Sequence, residues 1–164
     1  MTIMRFARDL DWKQIKHFEP KEFDDPDYPG SWRYMKAATV VYLDELRELT
    51  GWKIITHNKH GVHGCVCVTR GHHSPNSFHN YDNPQGCSAV DWHFITDADS
   101  EQQAEIVIRK SKFMGIGLYP RCWHWPGIGL LPIGFHTDLR PYFCLWRYSR
   151  RRKDKGDDPY VYLL

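Results

Sequence analysis

Ten histidines, against four methionines, are the chemical feature that stands out in this 164-residue chain. Imidazole is the commonest metal ligand in proteins and titrates near neutrality, so this density points to metal or proton-transfer chemistry. Most of the ten are expected to be ordinary surface residues. Three residues belong together: His79, Asp91 and His136. A catalytic zinc takes three protein ligands and keeps a fourth position for water or substrate, and two imidazoles with one carboxylate make such a set. A chain with ten His and 20 acidic residues contains many triples of this kind. Local pattern selects this one. His79 closes the polar stretch Ser77-Phe78-His79, just ahead of the alternating run that carries Asp91. His136 sits in a second alternating run. Alternation turns both away from the apolar face of a strand. The chemistry expected of Zn2+ there is activation of a water and polarisation of a carbonyl.

The elements that must hold these residues can be read from periodicity. Met35, Ala38, Tyr42, Leu46 and Leu49 recur at helical spacing, which predicts a helix over 33–50 with Gly51 as its C-cap. Residues 53–57 (KIITH) and 64–68 (GCVCV) read as short strands. Residues 69–88 read as loop. In 89–94 (AVDWHF), Val90, Trp92 and Phe94 share one face, Asp91 and His93 the other. Ser100 and Gln103 fit a capping box for a helix over about 100–113, buried through Ala104, Val107, Ile108 and Phe113. Residues 115–119 (GIGLY) read as a strand, and so do 135–140 (FHTDLR), which put His136, Asp138 and Arg140 on one face. The order α, β, β, loop, β, α, β, β predicts an α+β fold: a small antiparallel or mixed sheet with helices packed on one face.

Composition narrows the function classes. The formal net charge is only +2, which excludes a strongly basic nucleic-acid binder as the whole account. The one Arg-rich run, in 147–158, is expected to be a solvated end, so no nucleic-acid partner is assigned. Aromatic residues make up 15% of the chain, which is not the composition of a disordered protein. Five cysteines, an odd number, with Cys65 and Cys67 spaced unlike a zinc ribbon, argue against a disulfide framework and favour buried free thiols. No apolar run approaches the ~20 residues needed to span a bilayer, and the first residues do not form a secretory signal. One domain over 1–164 is expected, with a core of about 15–147 and a basic tail of about 148–164, as a monomer.

The pattern around the triple resembles a known family, the zinc D-Ala-D-Ala carboxypeptidases and related phage peptidoglycan endopeptidases. Ser77-Phe78-His79 followed by Gly86-Cys87-Ser88-Ala89-Val90-Asp91 resembles its S-x-H…G-x-A-x-D motif. Phe135-His136-Thr137-Asp138 resembles its second motif, H-x-D. Phe18 to Phe23, Gly115 to Pro120 and Trp146 add further matches in the same order, so the resemblance covers about residues 15–147. It implies a D,D-peptidase-like (hedgehog-like) fold with His79, Asp91 and His136 holding zinc on the sheet. It also implies a metallopeptidase that hydrolyses amide bonds in the stems or cross-links of bacterial peptidoglycan. Made in the cytoplasm without a signal peptide, such a protein is a phage lysin (endolysin) or virion component that acts on the cell wall.

This chain departs from that pattern in three ways. Asp91 follows His79 by 12 residues, more than is usual in the family, and a loop insertion within 80–85 accounts for the difference. The stretch where the family carries a carboxylate-binding Arg reads Thr56-His57-Asn58-Lys59-His60. Lys59, His60 or Arg70 would have to supply the cation, and the change leans towards endopeptidase over carboxypeptidase. Where relatives place an acidic base three residues before the second His, this chain has Ile133, which leaves Asp138 as the candidate base. Orienting His136 by a hydrogen bond is its alternative role. Ser77 and Trp125 are candidates for lining the cleft, with turn formation and packing as their alternatives. A catalytically degenerate wall-binding or virion structural protein of the same fold is the rival reading of the whole chain.

Overall fold

The computed structural model describes residues 5–84, 86–120, 131–149 and 160–164. Helix α1 spans Ala37–Thr50 and stops at Gly51, whose φ of +68° is the left-handed conformation that glycine adopts without steric cost. Its buried residues include Val40, Leu43 and Leu46, each three residues from the last and so on one side of the helix. Strand β1 follows at Lys53–Thr56, and β2 at Val90–Ile95 after a long irregular connection. Helix α2, Ser100–Lys110, leads to β3 at Gly115–Pro120, β4 at Ile133–Asp138, β5 at Cys144–Tyr148 and β6 at Tyr160–Tyr162.

The six strands form one open sheet in the order β1-β2-β4-β3-β5-β6. Its neighbours are antiparallel except β3 and β5, which run parallel, so the sheet is mixed. Side-chain alternation divides it into two faces. Ile54, Val90, Trp92, Phe94, Ile116, Phe135 and Leu145 join Val40, Leu43 and Leu46 of α1 and Val107 of α2 in one core. Trp92 is fully buried and stacks on Phe135 with ring centroids 4.8 Å apart. Its indole N–H donates to Thr137 Oγ1 at 3.0 Å, the partner that a buried Trp needs. The fold is α+β with helices on one face, as the patterning predicts. No helix among the described residues is long and apolar enough to cross a membrane.

Several expectations need correction. Helix α1 begins at Ala37, not residue 33, because Met35 and Lys36 are drawn into extended bonding: Ala7 N–H donates to Met35 O, and Lys36 N–H donates to Cys87 O. Leu49, expected on the buried stripe, is exposed, whereas Val40 and Leu43 are buried. Residues 64–68 are not a regular strand. Their bonds go to four separate partners: Gly64 O accepts from Asp91 N, Val66 N donates to Phe23 O, Cys67 N donates to His79 O, and Cys67 O accepts from Tyr81 N. The α2 cap lies one residue earlier than expected. Asp99 accepts from Gln102 N at 2.8 Å, while Gln103 is buried and donates to Ala98 O. The core reaches Ala7, earlier than residue 15, and the chain's end returns to add β6 beside β5.

Candidate metal centre

Sheet register brings two of the three predicted ligands face to face. Asp91 on β2 is directly opposite His136 on β4, and the same row continues through Gly117 on β3 to Trp146 on β5. All four lie on the face opposite the core. His79 arrives from a loop pinned against β2. Its carbonyl accepts from Cys67 N, and Phe78 O accepts from Ser88 N and Ala89 N.

The hydrogen bonds of the two imidazoles define their tautomers. His79 Nδ1 lies 3.0 Å from the Cys65 carbonyl, which can only accept, so the proton is on Nδ1 and Nε2 carries a bare lone pair. His136 Nε2 lies 3.1 Å from Asp138 Oδ2, so a proton is on Nε2, and in the neutral ring Nδ1 is bare. These two nitrogens, His79 Nε2 and His136 Nδ1, are 3.1 Å apart. Asp91 Oδ1 is 2.9 Å from His136 Nδ1 and 3.5 Å from His79 Nε2. A tetrahedral ion with bonds of about 2.0–2.1 Å requires ligand atoms about 3.3 Å apart. The three observed separations bracket that value. Three converging lone pairs repel one another unless a cation sits between them, and the residues fit a divalent metal.

The electrostatics point the same way. Burial opposes ionisation of Asp91, but the two imidazoles outweigh it and hold the carboxyl well below the usual range. Burial likewise opposes charge on His136, yet its hydrogen bonds to Asp138 and Asp91 raise its pKa to about 9. The field of the site therefore favours positive charge where the ligand atoms meet, whether a proton or a metal ion carries it.

Asp138 is fully buried and its carboxylate accepts four hydrogen bonds. Oδ2 accepts from His136 and from Arg140 Nη2 at 2.6 Å; Oδ1 accepts from the Arg140 backbone N–H and Nε. Burial alone would raise its pKa, but Arg140 and His136 hold it well below the usual range. Such a carboxylate is a weak proton acceptor and a strong orienting group. The Arg140 guanidinium is itself held over the Trp146 ring, 4.6 Å from its centroid, and faces Phe78 at 5.7 Å.

A cavity of about 530 Å³ opens over the triple. Ser77, His73, Tyr119, Arg140 and Trp146 are among its walls. Ser77 stands in the cavity wall, and its Oγ also accepts from His79 N at 3.2 Å, a turn role. The three proposed cations lie elsewhere. Lys59 pairs with Glu22 at 2.6 Å, the His60 ring packs near His93, and Arg70 lines a separate cavity beside Cys67 and Tyr81. Trp125 lies outside the described residues, as does His124. Arg140 is the cation that sequence reasoning passed over. The signal was present, since alternation already placed it on one face with His136 and Asp138. His73 had no such signal. It reaches the site by stacking on His79, with centroids 4.3 Å apart, and burial lowers its pKa to about 4.

Comparison of the chain with protein-family models, with curated proteins and with solved structures finds no match.

Proposed function

We propose that the protein is a zinc-dependent peptidase that hydrolyses amide bonds in the peptide stems or cross-links of bacterial peptidoglycan, in a D,D-peptidase-like (hedgehog-like) fold. The observation that carries the metal assignment is the convergence of His79 Nε2, His136 Nδ1 and Asp91 Oδ1 in a largely buried cluster. The substrate class rests on the motif resemblance. A bound Zn2+ supplies Lewis-acid chemistry, lowering the pKa of a water to about 7 and polarising a carbonyl. The chain supplies orientation. The Cys65 carbonyl and Asp138 fix the two imidazole tautomers, and Ser77, Tyr119 and Trp146 wall the cleft. Arg140, braced by Asp138, is the basic group in the described cavity wall best placed to meet a substrate carboxylate or carbonyl. Asp138 acts as a positioning residue.

The full engagement of Asp138 also favours the rival reading, a metal-bearing but non-hydrolytic wall-binding or virion structural protein. One experiment separates the two. Wild-type protein is incubated with purified cell walls of several peptidoglycan types, and new amino groups and released fragments are followed by labelling and mass. Release by wild type, abolished in His79→Ala and Asp91→Ala with loss of one metal equivalent, supports the peptidase. Metal content without release from any wall supports the rival. Full release by either variant, or in chelator, overturns the site and the zinc dependence of the hydrolysis.

A further inference from the structure

A second set of ligating side chains lies outside this cavity, where the turn at 24–28 meets the segment 61–69. Asp25, His63 and Cys67 present one ligand atom each, all within 4.8 Å of one another. The Asp25 carboxylate is fully buried, Cys67 is buried, and the His63 side chain is only 14% exposed. His63 Nδ1 is buried 3.2 Å from Asp25 Oδ1, yet forms no hydrogen bond. A buried imidazole nitrogen in that state is costly unless something else meets its lone pair. Backbone donors hold Asp25 rigidly in place. Its Oδ2 accepts from Val68 N at 2.7 Å and Thr69 N at 3.3 Å, and its Oδ1 accepts from Asp27 N at 2.9 Å. An ionised carboxylate offers about four lone-pair sites, so Oδ1 can still ligate beyond these three bonds.

We infer that Asp25, His63 and Cys67 form a second zinc site, separate from the cavity triple. The donor set decides the metal. Sulfur, imidazole and carboxylate together suit a borderline-soft divalent ion such as Zn2+, whereas Ca2+ and Mg2+ prefer all-oxygen shells. A competing triple, Asp27, His63 and His72, uses the other ring nitrogen of His63. Its carboxylate is 63% exposed and solvated, so the buried triple is the stronger site. The second ion would brace the first centre. The His63 carbonyl accepts from His73 Nε2 at 2.6 Å, and His73 in turn stacks on His79.

Sulfur makes the inference testable independently of hydrolysis, because the cavity triple has no thiolate. Full-length protein is loaded with Co2+, and bound metal and the near-ultraviolet thiolate-to-cobalt charge-transfer band are measured together. Two equivalents per chain and a strong band are expected. Cys67→Ser should lose the band and one equivalent, whereas Asp91→Ala should lose one equivalent and keep the band. No band in wild type, or an undiminished band in Cys67→Ser, overturns the site. If Cys67→Ser does not give a native circular dichroism spectrum, His63→Gln is read in its place: one equivalent lost with a weakened band supports the site, and no change overturns it. Failure of the cavity triple would show instead as a band with a single equivalent that Asp91→Ala leaves unchanged.

Discussion

At the residue scale, what distinguishes this chain's histidines is which of their nitrogens carries a proton, and neighbours decide that. His136 can ligate through Nδ1 only because Asp138 holds the proton on Nε2. Asp138→Asn would put an amide where a carboxylate oxygen now accepts, favouring the tautomer with Nδ1 protonated and unable to bind metal. A loss of roughly 10–100-fold in metal affinity is the usual scale for removing such an orienting partner, with a parallel loss of any hydrolytic activity. Titration against a chromophoric chelator measures it, and affinity unchanged within about twofold, well short of that scale, would remove Asp138 from the role. At this scale the sequence was informative for His79, Asp91 and His136. It was uninformative for Lys59, His60 and Arg70. A cation's usefulness depends on where its loop ends up, and Lys59 ends up paired with Glu22.

At the scale of elements, a strand's period of two carries most of the legible information. One-residue alternation in β2 and in residues 135–140, which run just past the end of β4, was enough to place Asp91, His136, Asp138 and Arg140 on faces opposite the apolar residues before any partner strand was known. Register then made Asp91 and His136 opposite neighbours. Gly117 shows how register shapes the cavity. It stands between His136 and Trp146, and a Cβ there would fall 2.7 Å from the indole. Gly117→Ala is therefore expected to displace Trp146, destabilising the protein by about 1–3 kcal/mol, the usual cost of overpacking. It should also weaken substrate binding more than metal binding. Thermal melts with metal titration test this, and an unchanged melting temperature would contradict it. Segment 64–68 reads as strand because it is apolar and β-rich, but its hydrogen bonds are shared among Phe23, His79, Tyr81 and Asp91. Periodicity sees a strand's side chains and is blind to where its backbone bonds go.

At the scale of the whole molecule, folding buries titratable groups of both signs, which gives stability a definite dependence on pH. Burial lowers the pKa of His57 to about 3 and that of His93 to about 4, with His60 adding to the shift at His93. Both are neutral in the folded state, whereas the unfolded chain protonates them near their ordinary value of about 6.5. Stability is therefore intact above about pH 6.5 and falls as pH drops towards 4 and then 3, by up to about 1.4 kcal/mol per pH unit per histidine. His136 behaves in the opposite sense. Its pKa is raised to about 9, so in metal-free protein its contribution is complete below about 6.5 and is lost as pH rises through 9. The metal-free protein should thus be most stable near pH 6.5, about the ordinary histidine value, and added zinc should shift that optimum upward by stabilising deprotonated His136. Urea midpoints measured across the acid, neutral and mildly alkaline range, with and without zinc, check both statements. A flat profile from neutrality down to about pH 5, where the unfolded histidines are already protonated, would contradict the assignment of His57 and His93 as buried neutral groups.

By itself the sequence determined the α+β class, the faces of the strands that carry the site and the three residues that meet there, because side-chain alternation and motif order are local properties of the chain. Only the tertiary structure decided how β5 and β6 complete the sheet, and that Asp25, His63 and Cys67 come together. Those arrangements join residues from different loops and strands. Burial and backbone hydrogen bonding place them, and neither leaves a period in the sequence.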